Sequence, residues 1–242
     1  MRANGLYSGA QLTVENLTVS YYRKEILFGA SLNVRQGEIV ALVGANGSGK
    51  STLLKAVAGL IRSKSGKVFF EGADVSDCES HELALRGMGF LLQGGAVFQS
   101  LTVMEHFQLA AHTLLRRDFE QRLALVWQTF PALYSKRKTR AGFLSGGERQ
   151  MLGFSNLLIR NARLWLLDEP TASLSPDAAQ VLLETLERLR NEDGITVLLA
   201  EQNLAEALNA SHRAYVIKHG QAFEEVPQAI LSSHDLESFF FA

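Results

Sequence analysis

Three unbroken apolar runs stand out from the rest of the chain: EIVALV at 38–43, LWLLDEP at 164–170 and ITVLLA at 195–200. A strand covered on both faces has no polar side, so each run predicts a strand inside a parallel sheet. GMGFLLQ at 87–93 predicts another core strand. The first segment reads differently. Leu12, Val14, Leu17, Val19 and Tyr21 fall at strand-like spacings, and Leu32 and Val34 continue them to a turn at Arg35-Gln36-Gly37. This predicts a small antiparallel sheet over the core. KVFFEGADV at 67–75 predicts a strand and turn, and RAYVIKHGQAF at 213–223 a hairpin turning at His219-Gly220.

Helical spacing appears elsewhere. TLLKAVAGL predicts a helix ending near Gly59. From about 101 to 159, MEHFQLAAHTLLRR and RDFEQRLALVWQTF place apolar residues at i, i+3 and i+4, which predicts an inserted helical block. After the acidic strand, Ser175 suits a helix cap, Pro176 the first helical position and Asp177 the positive end of the dipole. Leu182, Leu186 and Leu189 form its buried stripe, Glu184 and Arg188 can pair outside, and Gly194 stops it. Alternating strands and helices predict an α/β fold with a mostly parallel sheet.

Candidate chemistry sits between the first apolar run and its helix. GANGSGKST, spanning Gly44, Ala45, Asn46, Gly47, Ser48, Gly49, Lys50, Ser51 and Thr52, fits the phosphate loop G-x-x-x-x-G-K-[ST]. Its glycines let several backbone N–H groups converge on one phosphate chain, and the following helix adds its positive end. Lys50 is expected to reach the β- and γ-phosphates, and the Ser51 hydroxyl to ligate Mg²⁺. The fold expected is therefore a P-loop NTPase core.

Two further motifs extend the site. Asp168 and Glu169 end the acidic strand, at the edge where open α/β sheets bind ligands. Asp168 is expected to hold the metal together with Ser51, and Glu169 to orient or deprotonate water at the γ-phosphate. In LSGGERQ, Ser145 and Glu148 have capping-box spacing around Gly146 and Gly147. Such a helix start is also a second phosphate site. One nucleotide does not need two such sites separated by a helical block, so this one is expected to serve a nucleotide held by another subunit.

Composition narrows the class. The chain has 242 residues and a formal net charge of −1, so no global field favours nucleic acid. Accordingly the basic cluster Lys136, Arg137, Lys138 and Arg140 is expected to be a solvated loop. The single cysteine, Cys78, excludes an internal disulfide and fits a reducing compartment. No apolar run approaches the ~18 residues of a membrane span. The N-terminus lacks the apolar stretch of a secretory signal. The six histidines show no metal spacing, and Trp165 is expected in the core.

The phosphate loop, LSGGE and LLDEP, in this order and around a helical block, resemble the ATP-binding subunits of ABC transporters. The resemblance spans nearly the whole chain. It implies ATP and Mg²⁺ as ligands. It gives an N-terminal antiparallel β subdomain and P-loop core over 10–92, a helical signature subdomain over 93–160, a core with the acidic strand over 161–218, and a hairpin and tail over 219–242, together a single ATP-binding domain. It places an adenine-stacking aromatic at Tyr21, with Tyr22 as fallback, and a Mg²⁺- and water-contacting glutamine at Gln93. Ala172 to Pro176 takes the position of the dimer-contact loop, with Ser175 where many members carry Asp. Where most members present a histidine to the γ-phosphate, this chain has Gln202, expected as a sensor that cannot shuttle a proton near neutral pH. That leaves Glu169 as the principal base, with Lys50 and Gln202 completing the catalytic set.

EQN, LSGGERQML and LSP look like the branched-chain (hydrophobic) amino-acid uptake ATPases, and within them like the shorter of two paired subunits. The resemblance implies a cytoplasmic protein, peripheral on the inner face of the cell membrane. Its expected partners are a second ATP-binding subunit in a homo- or heterodimer, integral-membrane permease subunits and, indirectly, a periplasmic or extracellular solute-binding protein. The terminal Phe239-Phe240-Phe241 reads as a packed tail or a docking patch. Urea or amide uptake, export, and a soluble ABC ATPase outside transport are the alternatives.

Overall fold

The computed structural model describes residues 9–22, 24–95, 97–172, 174–218 and 220–227. The turn residue His219 and the Phe239–Phe241 tail lie outside the described residues. In chain order the elements are β1 (Ala10–Tyr21), β2 (Lys24–Arg35), β3 (Ile39–Val43), α1 (Lys50–Val57), β4 (Ser65–Phe70), β5 (Ala73–Asp74), α2 (Ser80–Leu85), β6 (Met88–Leu91) and α3 (Val103–Ala110). Then come α4 (Arg116–Thr129), α5 (Pro131–Ser135), α6 (Gly146–Ile159), β7 (Leu164–Asp168), α7 (Pro176–Asp193), β8 (Thr196–Glu201), α8 (Leu204–Ala210), β9 (Arg213–Lys218) and β10 (Gln221–Pro227).

The strands lie in the order β5-β4-β1-β2-β10-β9-β3-β8-β7-β6. β9, β3, β8, β7 and β6 pair in parallel, as the continuous apolar runs of β3, β7 and β8 predict; β9, expected as one arm of a hairpin, is also parallel to β3. β5, β4, β1 and β2 pair antiparallel. β10 closes the predicted hairpin against β9 and meets β2 at Gln221–Phe28, which joins the two parts.

In β1 the inward positions switch from even to odd numbers between Val14 and Leu17. A register shift there, with Asn16 at φ 48°, is the cause: a bulge inserts one residue and flips the following side chains. Tyr21 departs from the inward pattern and is exposed. The sheet separates two cores by simple alternation. Leu164 and Leu166 of β7 face α1, β1, β2 and β4, whereas Trp165 and Leu167 face α3–α7. Trp165 is fully buried and its indole N–H donates to the Ala162 carbonyl at 2.8 Å. At the far end of β3, buried Arg213 pairs with Glu38 at 2.7 Å, tying β9 to the turn before β3.

The α7 helix starts on the Ser175 cap, which accepts from the Ala178 amide, and ends at Gly194 in the left-handed region. One detail differs from expectation. Glu184 accepts from Gln180 at 2.8 Å instead of pairing with Arg188, because the residue one turn before it is within reach. Two helices, α2 and α8, carry no sequence expectation. No helix among the described residues is long and apolar enough to cross a membrane.

Candidate functional site

β3 delivers the chain to the phosphate loop at the carboxyl end of the parallel sheet, and α1 leads it away. Gly44 has φ 156°, and a Cβ there would stand 2.3 Å from the Ile217 carbonyl oxygen. Gly49 caps α1 in the left-handed region, where a Cβ would meet Leu27 at 2.7 Å. Glycine is therefore required at both ends of the loop. Ala45, Asn46 and Gly47 form its exposed crest, while Ser48, Lys50 and Thr52 are buried. The Ser48 hydroxyl is buried without a hydrogen-bond partner, an oxygen available to a ligand in the loop.

The Lys50 ammonium donates to the Gly44 and Ala45 carbonyls at 2.8 and 3.3 Å and lies 3.9 Å from Glu169 Oε1. Burial pulls its pKa below the usual lysine value, against the opposing charges of Glu169, Asp168 and Glu201. The Ser51 hydroxyl donates to Asp168 Oδ1 at 2.8 Å. A hydroxyl and a buried carboxylate, both hard oxygen donors, fit a Mg²⁺ ion that completes its shell with phosphate oxygens and water. Among the described residues no cluster of three His, Cys, Asp or Glu side chains could hold a metal by itself.

Glu169 has φ 47°, a backbone region that glutamate rarely enters, and its amide donates to the Ala200 carbonyl at 2.9 Å. Gln93, in a tight 3₁₀ turn after β6, donates Nε2 to Glu169 Oε2 at 2.7 Å. The structure thus brings Lys50, Ser51, Asp168, Glu169 and Gln93 together. Gln202 follows β8 with an exposed side chain, and its backbone N–H donates to Glu201. Tyr21 and Tyr22 are both exposed beside the β1–β2 turn, and Tyr22 has φ 54°.

Ser145, Gly146, Gly147 and Glu148 stand apart from this group, at the start of α6 in the helical block. The capping box is complete: Ser145 N–H donates to Glu148 Oε2 at 2.9 Å and Glu148 N–H to Ser145 Oγ at 3.3 Å. Lys136 Nζ lies 2.5 Å from Glu148 Oε1. Burial opposes the Glu148 charge, but the bonds from Lys136 and Ser145 outweigh it and hold its pKa below the usual range. The basic cluster is consequently more than a solvated loop. The Thr139 and Arg137 carbonyls accept from Val103 and Met104 in the first turn of α3, and Arg137 lies over the Tyr134 ring. His106 is a packed core residue: Nε2 accepts from the Phe98 amide at 3.0 Å, so Nδ1 donates to the Thr102 carbonyl at 2.8 Å.

Sequence reasoning passed over Glu201. It ends β8 almost fully buried, and Oε1 accepts from both the amide and the hydroxyl of Thr171, at 3.1 and 2.7 Å. Burial pushes its pKa up to about 7, although the Thr171 bonds favour the charged form. A carboxylate closing an apolar run, as Asp168 closes LWLL, is the signal that could have found it. Beside Gln93 opens a groove of about 600 Å³, between α2, β6 and α6, lined among others by Leu60, Leu85, Phe90, Leu92 and His112. Leu60, Leu85 and Leu92 are exposed there.

The sequence pattern of the ABC transporter family matches residues 27–172. The probable branched-chain amino acid transport ATP-binding protein LivF of Archaeoglobus fulgidus is 38% identical over 227 residues, 93% of this chain and 96% of that one. The lipopolysaccharide export system ATP-binding protein LptB of Haemophilus influenzae is 33% identical, over 95% of this chain and 96% of its own. A nucleotide-free ATP-binding cassette from an ABC transporter has the same fold, with a TM-score of 0.84 at 24% identity over 96% of this chain and 99% of that one. Phosphate loop, acidic strand and signature helix are thus set in the fold of an ABC cassette, and the chain belongs to the ABC transporter ATP-binding family, whose members hydrolyse ATP.

Proposed function

We propose that this protein is the motor subunit of a membrane importer for branched-chain or other hydrophobic amino acids, working as a homo- or heterodimer that closes on two ATP molecules. The observation that carries the reading is the Gln93–Glu169 bond. It links the strand-end carboxylate to a segment that borders an exposed apolar groove. That groove suits a short helix of a permease subunit, because Leu60, Leu85 and Leu92 present exposed apolar side chains along it. His112 and Asn156 also line it.

The chemistry divides among named groups. The loop amides and Lys50 take the β- and γ-phosphates. Ser51 and Asp168, with Gln93 beside them, would hold Mg²⁺, whose positive charge would offset that of the phosphates. Glu169 accepts the proton of the attacking water through a carboxylate that Gln93 aims. Gln202 donates to the γ-phosphate, and Tyr21 stacks on the adenine. Ser145 to Glu148 cover the γ-phosphate of the nucleotide on the partner, and the loop from Ala172 to Pro176 meets the partner cassette. Loss of the γ-phosphate removes contacts that hold the closed state, so the dimer opens.

The similarity to LivF supports amino-acid import, and the similarity to LptB favours export as the second reading. Tagged Glu169→Gln protein with MgATP, incubated with detergent-solubilised membranes of the source cells, separates them. Recovery of multi-span permease subunits with a second ATPase supports import; a partner set lacking any amino-acid permease sinks it.

A further inference from the structure

Glu201 is a buried carboxylate that the catalytic scheme above does not use. It stands at the carboxyl end of β8, paired in register with Val43, the last residue before the phosphate loop. Three donors converge on it. Thr171 gives its amide and hydroxyl to Oε1, and Gln202 gives its amide to Oε2 at 3.3 Å. A carboxylate suits this place because each group hydrogen-bonded to it is a donor and an ionised carboxylate only accepts. The two chains so joined are 30 residues apart in sequence. One follows Glu169, whose strained backbone is also pinned to β8 through Ala200. The other opens with Gln202.

We propose that Glu201 is a positioning residue, tying the loop that follows Glu169 to the backbone of Gln202 so that the two segments move as one unit. A contact that Gln202 makes or loses at the γ-phosphate is then transmitted to the chain from Thr171 to Pro176, and through it to the partner cassette. This rests on the roles proposed for Glu169 and Gln202.

The test is steady-state ATPase kinetics with parallel nucleotide titration on four variants: Glu201→Ala, Glu201→Gln, Thr171→Val and Glu201→Ala/Thr171→Val. Glu201→Ala lowers kcat by about 10- to 100-fold while the ATP Kd stays within about twofold, because misplacement of the reacting groups slows chemistry without removing the phosphate loop. Thr171→Val, which keeps the amide donor, gives a smaller loss, and the double variant falls no further than Glu201→Ala. Glu201→Gln, which retains an acceptor for Thr171, recovers part of the rate. Where Glu201→Ala does not fold, Glu201→Gln and Thr171→Val carry the same comparison. Unchanged kcat in the folded variants, or losses in Kd as large as those in kcat, or additive losses in the double variant, overturn the proposal. Glu169→Gln runs alongside: if it keeps wild-type turnover, the catalytic assignment itself falls, whatever Glu201 does.

Discussion

Replacing Glu201 by glutamine should change how stability depends on pH. The wild-type carboxyl has its pKa raised from 4.5 to about 7, because burial disfavours its charge more than the Thr171 and Gln202 donors favour it. Lys50 on α1 attracts the charge, and Glu206 on α8 repels it. A carboxyl with a raised folded pKa binds its proton more tightly in the native state. Stability is therefore greatest below the unfolded pKa and falls as pH rises through the interval up to the folded pKa, levelling off above it. The two values imply a loss of about 3 kcal/mol over the full interval, and about 2–3 kcal/mol between about pH 5 and about pH 8. Glutamine does not titrate. It also points an amide donor at the Gln202 N–H, which costs the variant about 1 kcal/mol at every pH. The difference between the two stability curves isolates Glu201, since the other groups titrate in both proteins. The assay is urea unfolding of each protein at the two pH values. With a urea slope of about 3 kcal/mol/M, the gap between midpoints should move by about 1 M in favour of the variant on going to high pH. Parallel curves would refute the argument, because Glu201 would then carry no unusual proton.

Gly49→Ala should destabilise the fold by about 1–3 kcal/mol, since alanine must hold φ 116° with its Cβ 2.7 Å from Leu27; an unchanged thermal midpoint contradicts this. Lys50→Ala should weaken ATP binding roughly 10- to 100-fold in a fluorescent-nucleotide titration, with the circular dichroism spectrum unaltered, because a charged partner of the phosphates is lost. Ser145→Ala should lose about 1 kcal/mol of stability with the α6 cap and weaken ATP-dependent dimer formation more than ATP binding to the isolated chain; equal effects on both would separate Ser145 from the dimer interface.

Much of this molecule was legible from sequence because its central strands are buried on both faces. β3, β7 and β8 could be read directly as apolar runs, and α7 from its cap, stripe and terminating glycine. The two helices that escaped notice are short. α2 buries only Leu83 and therefore leaves no period to detect. α8 is seven residues long. Candidate site residues within contiguous motifs were legible for the same local reason. Residues that act across the sheet were not. Thr171 and Glu201 meet only because β7 and β8 are neighbours. Lys136 reaches Glu148 only because the chain after α5 folds back under α3. The switch of inward positions from Val14 to Leu17 depends on a bulge, which alternation by itself does not specify.

In the proposed function Glu169 acts as the base that drives ATP hydrolysis within a dimer of cassettes. The most direct measurement is light scattering of Glu169→Gln with MgATP, beside its phosphate-release rate; where the natural dimer is heteromeric, the partner cassette is added. ATP binding should stay close to wild type, with a hydrolysis rate reduced about 10²- to 10⁴-fold and a stable dimer that dissociates when ATP is removed. Near wild-type turnover, or a variant that stays monomeric with ATP bound and its partner cassette present, would contradict that role for Glu169.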